Sequence, residues 1–430
     1  MRGPRARPDV RDAGDGPQYR IMEPFRFGTG RSVEQLAYIG LAAENAHESD
    51  RIGVVDTTPD SAAFGQVVGR LELPRNPNRL LRFGWNACGT RGCRHAPCSA
   101  EERRYLVVPG TASSRIQLID TQPDPRMPRL VTVIDDADET RRIRYCAPQH
   151  FAPDIAWHLG HHTMVTSESG RPDMLERGVS SNVLVDGEHG RWLHVWDTRT
   201  RTHRQAIDLG REQRMVLRLQ AAHNPTRAYG FASVMFSLAD LSGSVFLWYL
   251  GRDATGGSGE WKAQRVITIR ARPADPACLP PLLRELRVVP PLVTDISLSA
   301  DDQSLWVSCW GTGELRRYDV ADPFNPALIG VVRLGGIVRR SAHPASPDMP
   351  RNGGPQMIDV SHDGRRVYMT NALHTDWDRQ FYPDGIRGWM AKVDTGVSGR
   401  VELDPRFFVE FEDAVRPHQV RLHAMDCAAN

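Results

Sequence analysis

The sequence predicts an all-β protein built as a β-propeller, and three observations carry that expectation. Apolar and polar residues alternate with a period of two, in short runs bounded by Gly, Asp, Asn and Pro. Stretches with helical periodicity are almost absent. A strand ending in an acidic or turn residue recurs along the chain every several tens of residues, as blades arranged around an axis require.

Taken in order, residues 1–33 are rich in Arg, Asp, Gly and Pro and poor in aliphatics, so they read as a disordered N-terminal extension. Residues 34–430 read as a single propeller domain. Six blade signatures are visible: Ile52–Asp56, Arg115–Asp120, Trp192–Asp197, Ser244–Trp248, Glu314–Asp319 and Met390–Asp394. The acidic residue at the strand end has a physical use, because its carboxylate accepts hydrogen bonds from N–H groups of the tight turn that follows. The same turn-capping role is expected of Asp295, Asp319 and Asp359. Strand–turn–strand pairs precede two signatures, Thr294–Asp302 with Leu305–Ser308 and Met357–Gly364 with Val367–Thr370. The Pro-rich stretches Pro273–Pro291 and His343–Pro350 read as loops between blades.

Bulk properties narrow the function. The chain has 430 residues, 40% hydrophobic and 25% charged, with a net charge of +2, which argues against a dedicated nucleic-acid binder. No apolar run is long enough to span a membrane, and none follows the basic N-terminus as a leader would need. A cytoplasmic protein with reduced thiols is the expectation, and seven cysteines imply no disulfide framework.

Three cysteines crowd one Gly-rich stretch, Cys88, Cys93 and Cys98, with His95 among them. They can be read as a reactive-thiol loop, as a Cys3His zinc site, or as an exposed loop with surplus thiols. His158, His161 and His162 form the densest imidazole cluster. On a strand, His158 and His162 would share one face and His161 the other. His418 and His423 lie near Asp426 and Cys427 at the C-terminus. His223 stands in a His-Asn-Pro turn, and His150 follows Cys146. No Gly-rich phosphate loop, nucleophile elbow or His-Glu-x-x-His motif is present.

Several runs together resemble the selenium-binding protein family, whose bacterial branch includes methanethiol oxidase. They are Gly84-Trp85-Asn86-Ala87-Cys88, His194-Val195-Trp196-Asp197, His223-Asn224-Pro225, Gly353-Gly354-Pro355-Gln356-Met357, Trp377 to Pro383 and Asp426-Cys427. The resemblance implies a seven-bladed propeller and a chemistry centred on Cys88, the counterpart of the family's selenium-carrying cysteine, with Trp85, Asn86, Asp426 and Cys427 supporting it. It implies a small thiol or a selenium species as partner. It also implies copper as cofactor, with His418, His223 and His150 as its expected ligands. The implied reaction takes methanethiol and oxygen to formaldehyde, hydrogen sulfide and hydrogen peroxide.

The chain departs from the family pattern in three places. Leu81 and Arg82 stand where the family has a His-His pair. The family's Cys-x-x-Cys is stretched here to Cys88 and Cys93. About one blade is missing after Tyr145, and with it a His-Thr-x-His run of which His150 is the remnant. Arginine stays protonated and offers no lone pair to a metal. The competing expectation is therefore a binding or scaffold propeller that has lost the metal.

Overall fold

The structure is a computed structural model describing residues 34–44, 48–74, 80, 82–85, 104–110, 115–134, 152–170, 178, 190–252, 258–396, 400–412 and 415–423. The expected N-terminal extension lies outside these, as do Leu81, Asn86, Cys88, Cys93, His95, Cys98, His150, Asp426 and Cys427.

Among the described residues the strands form six four-stranded antiparallel sheets, the blades of the propeller. Blade 1 combines both ends of the chain, in the order Val415–His423, Leu36–Ala43, Arg51–Asp56, Val67–Glu72. Blade 2 is Gly84–Trp85, Tyr105–Pro109, Ile116–Asp120 and Arg129–Ile134. Blade 3 is Ile155–His158, Thr163–Ser167, Trp192–Asp197 and Thr202–Asp208. Blade 4 is Gln213–Ala221, Tyr229–Ser237, Gly243–Arg252 and Ser258–Ile269. Blade 5 is Val293–Leu298, Ser304–Cys309, Glu314–Asp319 and Ala327–Arg333. Blade 6 is Ile358–Val360, Arg366–Thr370, Trp389–Thr395 and Val401–Glu410. The first strand of each blade is its innermost.

All six sequence signatures fall on third strands of blades, and four of their closing aspartates cap the next turn as expected. Asp56 accepts from Thr58 N, Asp120 from Gln122 N, Asp197 from Arg199 N and Asp319 from Ala321 N. Asp295 and Asp359 correct the expectation. Both lie on inner strands, and both reach across to the next blade instead of capping a turn. The Pro-rich stretches carry short two-stranded ribbons, Arg272–Pro273 with Val288–Val289 and Ser341–His343 with Ser346–Arg351. A short α-helix, Thr375–Phe381, packs Trp377 and Phe381 against Trp310 over blades 4 to 6.

Neighbouring blades bury an apolar face between them. Leu36, Tyr38 and Val54 of blade 1 meet Leu106 and Ile119 of blade 2. Comparable clusters join blades 3 and 4, 4 and 5, 5 and 6, and 6 and 1. Among the described residues no such cluster joins blades 2 and 3. There Val131 is 51% exposed, Ile134 54%, Ile155 49% and Trp157 56%. This is the junction at which the resemblance expects a further blade.

The sealed and open junctions should respond differently to truncation. Phe407 is fully buried between blades 6 and 1, so Phe407→Ala should cost about 3–5 kcal/mol in urea unfolding. Val131→Ala, at the open junction, should stay within about 0.5 kcal/mol of wild type. Equal losses would show that the junctions are packed alike.

Candidate functional site

Every inner strand, or the residue leading into it, sends one charged side chain toward the axis. In blade order these are Arg421, Arg82, Asp154, Arg218, Asp295 and Asp359. Arg82 Nη1 donates to Asp154 Oδ1 at 3.1 Å and its Nη2 to the Leu217 carbonyl at 2.9 Å. Arg218 Nη1 reaches the same Asp154 oxygen at 3.3 Å, and its Nε lies 3.2 Å from Asp295 Oδ1. Arg421 Nη1 donates to Asp359 Oδ1 at 3.2 Å.

The second oxygen of each aspartate holds the backbone of the following blade. Asp154 Oδ2 accepts from Leu219 N at 2.7 Å, Asp295 Oδ2 from Ile358 N at 2.9 Å and Asp359 Oδ2 from Leu422 N at 2.8 Å. Gln419 does the same for blade 2, its Oε1 accepting from Phe83 N at 2.6 Å. The ring therefore fixes the register between blades as well as lining the axis. Burial pushes the Asp295 carboxyl up, with Arg218 opposing.

His418 lies on the closing strand Val415–His423 and is buried. Burial first, and the positive charge of Arg82 second, hold its imidazole down to about 4, partly offset by contacts with the Leu373 and Ala372 backbone. The ring is thus neutral at physiological pH, and its Nδ1 has no hydrogen-bond partner among the described residues. His374 stands beside it with ring centroids 5.3 Å apart. Below them Asp378, from the helix, pairs with Arg416 of the closing strand, which also bonds Glu44 at 3.0 Å.

His223 sits elsewhere. Its Nδ1 lies 3.0 Å from Asp302 Oδ1, and that carboxylate also accepts from His223 N and Asn224 N. It works as a turn clamp between blades 4 and 5, away from the surroundings of His418. The cluster at His158 corrects the strand expectation. A 3-10 turn, Leu159–His161, follows the strand, and His162 has φ 47° and binds Arg199. His158 and His161 lie 4.9 Å apart beside Trp261. Burial lowers both.

Trp85 docks onto the far end of the closing strand. Its Nε1 donates to the Leu422 carbonyl at 3.0 Å, and its ring lies 5.4 Å from that of His423. His418 is five residues earlier on that strand, roughly 17 Å at strand rise. Sequence reasoning missed the Arg–Asp ring altogether. Its members are far apart in the chain, and only the propeller brings them to one axis.

The family model described as 56 kDa selenium binding protein matches residues 15–150 and 143–430. The chain belongs to the selenium-binding protein family. Among its curated relatives, a methanethiol oxidase of Xenopus tropicalis is 29% identical over 92% of this chain and 95% of its own length. Selenium-binding protein 2 of Arabidopsis thaliana is 28% identical over 92% of each chain. The crystal structure of a hypothetical selenium-binding protein from Sulfolobus tokodaii superposes with a TM-score of 0.81 at 38% identity, covering 92% of this chain and 95% of that one. The family match comes in two pieces that overlap at residues 143–150, between blades 2 and 3.

Copper needs imidazole or thiolate lone pairs that converge. Among the described residues no three His, Cys, Asp or Glu side chains converge in that way. Of the expected ligands, His418 and His223 do not come together, and His150 lies outside the described residues.

Two measurements check this site. Asp295→Ala removes the acceptor of Ile358 N and one of the two carboxylates beside Arg218, and should cost about 3 kcal/mol or more in chemical unfolding; a loss below about 1 kcal/mol would show that the ring does not hold the blades in register. The second concerns pH. A base held below its unfolded value binds fewer protons folded than unfolded, so the neutral His418 contribution is full above about pH 6.5 and declines as pH falls toward about 4, by roughly 3 kcal/mol. Asp378, pushed up to about 7 by burial with Arg416 opposing, acts in the opposite sense. The His418 contribution should therefore be read as the difference in stability between wild type and His418→Gln across that window. A constant difference would contradict it.

Proposed function

We propose that this chain is a thiol- or selenium-binding propeller that works through Cys88 and keeps copper out of its channel. The observation that supports this reading is Arg82. It stands where the resemblance places a histidine, and its guanidinium is tied to Asp154 and to the Leu217 carbonyl. A fixed positive charge there opposes a metal cation and lowers the affinity of His418 for protons. Cys88 follows three residues after Trp85, which anchors that stretch to the closing strand. The partner is a small thiol or a selenium species, bound at Cys88.

A second reading rests on the relatives named methanethiol oxidase and on the unpartnered Nδ1 of His418. In it, His418, with His150, would hold copper that supplies oxygen chemistry to a small thiol bound near Cys88.

Metal analysis of protein purified from copper-supplemented medium separates the two. The binding reading expects less than about a tenth of an equivalent of copper, and no hydrogen peroxide when methanethiol is added. Stoichiometric copper with peroxide formation would establish the oxidase instead. Selenite-derived selenium should be retained by wild type and lost by Cys88→Ser. Retention by that variant would take the thiol out of the proposal.

A further inference from the structure

The axial ring has more donors than acceptors, and the surplus points one way. Each guanidinium presents a rigid fork of N–H groups and accepts nothing. Among the described residues Arg82 has two acceptors, Asp154 and the Leu217 carbonyl. Arg218 has two carboxylates, and Arg421 has only Asp359. The carboxylates have little left to give. Asp154 Oδ1 serves two guanidiniums, and the second oxygen of all three aspartates is held by a backbone N–H.

The order of charges around the ring adds a direction. Arginine and aspartate alternate from blade 2 to blade 5, but blades 1 and 2 bring Arg421 and Arg82 side by side with no carboxylate between them. Arg218 shares Asp154 Oδ1 with Arg82. The two neighbouring guanidiniums keep 18% and 24% of their side-chain surface accessible, against 10% for Asp154 and 2% for Asp295. Asp359, at 21%, is the most accessible carboxylate of the ring, and it lies on the far side of Arg421. Burial, together with repulsion from the other arginines, lowers both Arg82 and Arg421, the signature of cations short of negative partners.

We propose that the channel binds a small inorganic oxyanion of sulfate size, held by the guanidiniums of Arg82 and Arg421, with Arg218 next to Arg82. Planar forks match the oxygen edges of such an anion bidentately, and charge-assisted bonds in a partly desolvated channel are the strong kind. The copper-free reading follows from the same Arg82, but the anion site uses neither Cys88 nor a metal.

Calorimetric titration of the full chain with sodium sulfate, against sodium chloride at matched ionic strength, tests it. One saturable site is expected for sulfate and none for chloride, with a melting temperature that rises with sulfate concentration. Arg421→Gln should weaken binding about tenfold or more, and Arg82→Lys, which keeps the charge but loses the fork, should weaken it too. A crystal soaked in selenate, isosteric with sulfate, should show an anomalous peak within hydrogen-bond reach of Arg82 and Arg421. No saturable sulfate binding to wild type, or a selenate peak elsewhere, overturns the proposal, and neither measurement depends on a variant folding. Cys88→Ser should bind sulfate as wild type does while losing selenium, so the anion site and the thiol reading can fail separately.

Discussion

The bond from an inner-strand aspartate to the next blade's backbone is the interaction on which this molecule rests. Apolar packing between blades is strong but non-directional, and it tolerates a slip of one blade against another. A carboxylate that accepts an N–H from the neighbouring strand does not. Asp154, Asp295 and Asp359 each make that bond, and each remaining oxygen meets a guanidinium. Such buried ion pairs add little net stability over apolar packing. What they contribute is a fixed register around the axis, and the same ring decides the electrostatics of the channel.

Closure follows from the ends of the chain. Val415–His423 pairs with the whole length of Leu36–Ala43, so blade 1 exists only when both strands are in place. The weak point is opposite in character. Blades 2 and 3 meet without an apolar cluster among the described residues, and the Arg82–Asp154 bond is their described polar link. The family match breaks between these blades. Val131, Ile134, Ile155 and Trp157 stay exposed at this junction. Arg82 therefore does two things. It ties blades 2 and 3 together, and its positive charge acts on His418.

The candidate site is accordingly a mixture of kept and altered parts. His418 keeps a neutral imidazole with a bare Nδ1, as a ligand would. Its surroundings, an arginine and a second histidine, do not complete a copper site among the described residues. Trp85 docks on the closing strand, with its indole against Leu422 and His423.

Fold class and family were legible in the residues alone. Period-two patterning and the closing Asp of each third strand are local, because alternation and turn capping act between residues a few positions apart. For the same reason the Gly-Trp-Asn-Ala-Cys run and the exchange of a histidine for Arg82 could be read directly. Whatever is made from distant residues waited for the folded chain. Asp295 and Asp359 carry the same residue type as the turn caps, and nothing local distinguishes a carboxylate that caps its own turn from one that crosses to another blade. His158 to His162 leave the strand expected of them at Gly160, which packs against the Pro225 backbone with no room for a side chain. The charge order of the axis exists only once six strands, spread over more than three hundred residues, face one another.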